Sequence, residues 1–180
     1  MELGLKRGTV ALQPHQVIWV ENAAETIAEL KTVLGEVAVD VQHIGSTSIR
    51  SIYAKPIIDL VIGVRDFEEI KAKIDDLEKI GVIFRGQDHP GQLLFVKGDF
   101  EKDTRTHHIH TVLWGENEWV NYVNFRDYLN AYPDKAAQYD ALKCHLLQDF
   151  ADDRGAYTSG KQELIDQLLS EARVWRESNK

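Results

Sequence analysis

HIGSTSIRSIYAKPIIDLVIGV, residues 43–64, joins a Gly-Ser step and a run of small hydroxyl residues to an apolar segment broken by one acid, Asp59. Pro56 closes the loop, and Ile57 to Val64 is too short and too rich in β-branched residues for a helix, so the segment predicts a strand. Its near-continuous apolarity implies burial on both faces and a central place in a sheet. Side chains alternate along a strand, which puts Ile57, Asp59, Val61 and Gly63 on one face and Ile58, Leu60, Ile62 and Val64 on the other. An isolated ionised carboxylate in that setting costs more than the spare stability of a domain. Asp59 is therefore expected to be paired with a cation, hydrogen-bonded, metal-bound, or placed at a sheet end facing a cleft.

Upstream, Ala24, Ile27, Leu30 and Leu34 recur at three- and four-residue steps and predict a helix over residues 21–35, stopped by Gly35, then a strand from Val37 to Ile44. Downstream, Asp66 and Glu69 read as a capping-box variant opening a helix whose stripe is Phe67, Ile70, Ile74 and Leu77. Strands are expected near 82–85, 92–97 and 106–114. From Glu116 the pattern is helical only: one helix with Trp119, Tyr122, Val123 and Phe125, a second started by Pro133, and a last one capped by Ser159 with Gln162. The order predicts an α+β fold, a single domain over residues 1–180 with a mixed core at 1–115 and a helical part at 116–180.

The chain has 180 residues, one cysteine (Cys144) and a formal net charge of -8. A lone cysteine excludes an internal disulfide framework and a thiolate zinc cluster, and reads as a helix-packing residue. The acidic balance argues against extended nucleic-acid binding, while leaving room for a local basic pocket. No membrane-length apolar run or signal-like start is present, so a soluble cytoplasmic protein is expected.

The turn GSTS, residues 45–48, offers N–H and O–H donors for a phosphate at a helix start, so Gly45, Ser46, Thr47 and Ser48 are candidate phosphate-binding residues. A Gly-Ser step after one strand, followed by an acid inside a second hydrophobic strand, resembles the nucleotidyltransferase (polymerase-beta-like) superfamily. The whole segment 43–64 resembles the GrpB-like family more closely, as do LQPHQVIWVENAAETIAEL, THHIH, FRDYL and DRGAYTSGK elsewhere in the chain. The resemblance implies a nucleotidyltransferase-like mixed sheet with flanking helices, and an activity that the family does not define; some relatives are fused to dephospho-coenzyme A kinase. The superfamily pattern calls for acids at i and i+2 on the strand, holding two divalent ions for phosphoryl transfer. Asp59 fills the first position, and Val61, which cannot ligate a metal, stands at the second.

In RTHHIHTVLW, His108 and His110 share one strand face and His107 the other. A site built from Asp59, His108 and His110 would hold a divalent metal (Mg, Mn or Zn), with imidazole favouring the transition metals; the alternative is that the two imidazoles are sheet residues hydrogen-bonded in place. Lys55, Arg126, Lys143, Arg154 and Lys161 would surround an anionic ligand at the Gly-Ser loop, although a single Lys such as Lys143 is more often a solvated charge. The reading is a nucleotide or phosphorylated small molecule bound with a divalent metal for phosphoryl or nucleotidyl transfer, with Asp59 as the catalytic acid. The alternatives are a nucleotide-binding module without catalysis, and an interaction scaffold using the last helix if its stripe, Leu164 to Ala172, is exposed.

Overall fold

The computed structural model describes residues 3–6, 9–150 and 153–179, apart from the Arg154 side chain. Among them are the strands β1 (Leu5–Lys6), β2 (Asp40–Ile44), β3 (Ile58–Val64), β4 (Ile83–His89), β5 (Gln92–Lys97), β6 (Thr104–Arg105) and β7 (His107–Leu113). The helices are α1 (Val17–Leu34), α2 (Phe67–Lys71), α3 (Ile74–Lys79), α4 (Asn117–Ala131), α5 (Pro133–Asp149), α6 (Arg154–Ser159) and α7 (Gln162–Ser178). The main sheet runs β2-β3-β7-β5-β4, and β1 and β6 form a small separate pair. β3 and β7 are parallel and every other neighbour in the main sheet is antiparallel, so the architecture is an α+β fold on a mixed sheet.

The apolar segment of the opening stretch takes an interior place in the sheet, one strand from the edge, and β7 is the middle strand. β3 is flanked by β2 and β7, and Ile58, Leu60, Ile62 and Val64 are fully buried in a cluster with Trp19, Ala23 and Leu30 of α1. The other face of the strand packs Val61 with Ile44, Val112 and Trp119 of α4. α4 thus lies directly on the sheet and also packs against α5 and α7, so the helical half is joined to the core rather than set apart from it.

Several boundaries differ from the sequence reading. α1 begins at Val17, and its buried face is Trp19, Ala23, Thr26, Leu30 and Leu34 while Ala24 is exposed. The reason is Thr26, whose hydroxyl is engaged with His107 Nε2 at 3.1 Å, so a polar residue occupies an inward position. The stretch before β2 is a short 3-10 turn, Gly35–Val37. The helix expected after Asp66 is broken into α2 and α3, although Asp66 does cap, accepting from Glu68 N at 2.9 Å. Ser159 is not an N-cap: its hydroxyl donates backward to Gly155 O at 3.0 Å, and α7 begins at Gln162. Pro133 opens α5 as expected. Among the described residues no helix is long and apolar enough to cross a membrane.

Candidate functional site

The Gly-Ser turn is built around a close approach. Gly45 has φ 69° and ψ -172°, a conformation largely reserved to glycine. A Cβ at this position would overlap the Asp59 carboxylate, landing 2.8 Å from Asp59 Cβ and 3.0 Å from its Cγ. Glycine is therefore required on two counts, by backbone shape and by the carboxylate pressed against its Cα. The chain then makes one 3-10 turn, Ser46–Ser48, closed by Ser48 N donating to Gly45 O at 3.1 Å.

Strand register assembles the acidic end of the site. Asp59 pairs in register with His108 and Val61 with His110 across the parallel β3–β7 ladder, so all four side chains share one face. Asp59 Oδ1 lies 3.4 Å from His108 Nδ1 and 4.0 Å from His110 Nε2. The Asp59 side chain is 29% exposed, which answers its burial cost: it sits at the sheet end, facing a cleft. Burial pushes its carboxyl up, but the hydrogen bond from His108 and the charges of His108, His110 and His43 outweigh this and hold it below the ordinary carboxylate value.

His110 lies one step deeper, stacked on Tyr122 with ring centroids 5.3 Å apart, and its Nδ1 is buried without a hydrogen-bond partner. Burial lowers its pKa despite the attraction of Asp59. The expected three-ligand metal site is not formed: among the described residues no group of three or more His, Cys, Asp or Glu is arranged to hold an ion. Val61, fully buried, leaves the second acid position of the two-ion pattern apolar. Asp59 is the one carboxylate among the described residues that line the adjoining cleft.

That cleft is a cavity of about 240 Å³, bounded by Gly45, Ser46, Thr47, Asp59 and His108 from the sheet end, Lys55 and Ile57 from the loop, Tyr139, Lys143 and Tyr157 from the helices, and Lys161 from the turn before α7. Of the residues expected around a phosphate ligand it gathers Gly45, Ser46, Thr47, Lys55, Lys143 and Lys161. Ser48 is turned away, its hydroxyl donating to Gly45 O at 2.6 Å. The Thr47 hydroxyl is engaged with His43 Nε2 at 2.9 Å.

Arg126 is placed elsewhere. Its guanidinium donates to Gln42 Oε1 at 2.8 Å and His43 O at 3.0 Å and pairs with Asp127, tying α4 to β2 beside a separate shallow groove. Arg154 opens α6, and its side chain lies outside the described part of the molecule.

Two residues were under-read from sequence. Lys143 is buried, 2% exposed, with its ammonium donating to Tyr53 O and 3.2 Å from Asp140 Oδ1. Burial brings its pKa down to about 8, against the pull of Asp140. Tyr139, also buried, has its phenol pushed up to about 12, chiefly by burial. The signal was in the helix period: Ala136, Tyr139, Lys143 and Leu146 step by three and four residues and form the inward face of α5.

Comparison with known proteins agrees with this architecture. A glutamate-rich protein GrpB of Alkalihalophilus pseudofirmus is 34% identical over 172 residues, covering 94% of this chain and 99% of its own. A dephospho-CoA kinase of Mycolicibacterium paratuberculosis is 26% identical over 201 residues, covering 97% of this chain and 48% of its own. The crystal structure of conserved protein GrpB from Enterococcus faecalis superposes with a TM-score of 0.83 at 32% identity, covering 92% of this chain and 99% of that one. Cid1 in complex with its short product ApU gives a TM-score of 0.54 at 8% identity, over 76% of this chain and 43% of that one, a likeness of fold alone. The GrpB protein family model matches residues 9–171, and the chain belongs to that family.

Proposed function

We propose that the cavity binds a nucleotide or phosphorylated metabolite for phosphoryl or nucleotidyl transfer. The observation that carries this reading is the convergence of a Gly-Ser turn, the Asp59–His108 pair and three lysines on one cavity of about 240 Å³. Exposed backbone N–H groups and ammonium groups are the donors that phosphate oxygens take. A divalent ion, Mg, Mn or Zn, would be held by Asp59 together with phosphate oxygens of the ligand, and would neutralise charge on the phosphoryl group. His108 orients the Asp59 carboxylate, and Lys55 from the loop, Lys143 from α5 and Lys161 from the turn before α7 offset the ligand's charge. The likeness to a dephospho-CoA kinase makes coenzyme A precursors a natural ligand class to test beside nucleotides. We take the setting to be the cytoplasm, with no extended nucleic acid as partner in view of the net charge of -8.

A second reading, binding without turnover, is favoured by one observation: the apolar Val61 where the superfamily pattern has its second acid. The scaffold reading loses its support, because Leu168 and Ala172 of the α7 stripe are buried with Tyr128 and Leu129 of α4 and Ala136 and Tyr139 of α5.

A thermal-shift matrix of nucleotides and coenzyme A precursors crossed with Mg, Mn and Zn tests the reading, since a ligand that binds only the folded state raises the midpoint by mass action. The expected result is a metal-dependent rise that Asp59→Asn abolishes; no rise with any combination rejects it. Mass-spectrometric detection of pyrophosphate or a transferred group then separates catalysis from binding alone.

A further inference from the structure

The Gly-Ser turn carries three hydroxyls, and two of them are engaged inside the fold. Thr47 meets His43 Nε2 at 2.9 Å, and Ser48 donates to Gly45 O at 2.6 Å. The third, Ser46, lines the cavity and is hydrogen-bonded to the phenol of Tyr139, which reaches the turn from the inward face of α5. Tyr139 lines the same cavity and is itself buried. Its ring is held from two directions, edge-on by Phe125 with centroids 5.5 Å apart and by the Lys143 ammonium 5.1 Å from its centroid. In a close-packed interior a ring so held keeps its hydroxyl in one place. Burial pushes the phenol up to about 12, and the Asp59 carboxylate lies near enough to add to that shift, so the group stays protonated at neutral pH.

Two hydroxyls that share one hydrogen bond leave one proton over. The phenol is the more acidic of the two and hence the stronger donor. With Tyr139 donating to Ser46 Oγ, the serine proton is left for an acceptor in the cavity, and a bond accepted at Oγ strengthens the one the serine gives. We propose that Tyr139 is a positioning residue that orients the Ser46 hydroxyl toward a phosphate oxygen of the ligand, making Ser46 the donor hydroxyl of the turn. This deepens the phosphate-binding reading and rests on it. Tyr139 acts through Ser46, so its hydroxyl matters to binding only while the serine hydroxyl is present. A phenol that merely packs would have the same effect with or without it.

Titration calorimetry with inorganic pyrophosphate, in EDTA and again with magnesium, tests this on Ser46→Ala, Tyr139→Phe and the double variant. Ser46→Ala is expected to weaken binding about ten-fold, as loss of a hydrogen bond to a charged group does. Tyr139→Phe keeps the ring against Phe125 and is expected to weaken binding about five-fold. Added to Ser46→Ala, the same change should alter affinity by less than about two-fold, because the two residues act as one unit. Should Tyr139→Phe fail to fold, Tyr139→Met takes its place in the cycle with the same outcome expected. Equal losses in both backgrounds, or either single variant binding like the wild type, overturn the positioning role and leave the phosphate-binding reading standing. A wild type that binds pyrophosphate under neither condition overturns both.

Discussion

His107 and His108 follow one another on β7 and are put to opposite uses by the two faces of the sheet. His107 turns toward α1, 5% exposed, with its ring nitrogens 3.1 Å from the Thr26 hydroxyl and 2.9 Å from that of Thr106. His108 turns toward the cavity, 22% exposed, beside a carboxylate that is itself half-buried. On the α1 face the polar group is consumed by internal hydrogen bonds and the surroundings are apolar. On the cavity face the imidazole lies 3.4 Å from the Asp59 carboxylate, and both side chains line the cavity. The contrast separates stability from function along a single strand pair, and it can be broken experimentally.

The largest effect belongs to the α1 face. Leu60 is fully buried among Trp19, Leu30 and Ile109. Truncation there removes contacts and leaves a cavity, so Leu60→Ala is expected to cost about 2–5 kcal/mol in urea unfolding. Ligand binding by the folded protein should be unaffected. Loss of binding at unchanged stability would contradict the division between faces.

Next comes acid sensitivity. Burial lowers the His107 pKa to about 4, aided by Lys97 and opposed by Asp59 and Glu29. Between pH 6.5 and about 4 the unfolded chain binds a proton at this position that the folded chain does not, so stability falls as pH drops through that window. The loss from this one group should approach about 2–3 kcal/mol by pH 4.5. Comparing urea midpoints at pH 7 and 4.5, His107→Gln should be less stable at neutral pH yet show a smaller drop on acidification. An equal drop in both proteins would show that His107 is not the buried neutral imidazole of this face.

This division was partly readable in the chain. The alternation in Ile57 to Val64 assigned the faces of β3, and the His-x-His spacing assigned those of β7, because period-two geometry is local. The depth of His110 was not readable. It depends on the register that sets it beside Val61 and on Tyr122 arriving from α4. Arg126 illustrates the same limit, since a basic residue in a motif-bearing helix was expected at the ligand and is instead engaged by Gln42 and the His43 carbonyl. Gly45, Ser46, Lys55, Asp59 and Lys161 did converge, whereas the inward turn of Lys143 required reading α5 by its buried stripe rather than by the charge of one residue.

A smaller stability effect, with a larger functional one, is expected at the turn. Gly45→Ala must adopt the backbone at φ 69° and displace the Asp59 carboxylate. The backbone strain costs about 1–3 kcal/mol. Because the displaced group is the one facing the cavity, binding should weaken more than the unfolding midpoint suggests. A variant that loses stability but binds normally would mean the Gly45–Asp59 contact serves packing alone.

The smallest effect on stability is the most informative. Asp59 is 29% exposed and partnered by an imidazole at 3.4 Å, and such partly solvated pairs contribute little net stabilisation. Asn at this position retains the shape and can still hydrogen-bond His108. Asp59→Asn is therefore expected to change unfolding stability at pH 7 by less than about 1 kcal/mol while removing metal-dependent ligand stabilisation. The two measurements have to be made on the same protein preparation, because only their divergence distinguishes a cavity carboxylate from a structural one. A loss of several kcal/mol with binding intact would move Asp59 to the category His107 occupies, an internally satisfied group, and the sheet would then have two structural faces.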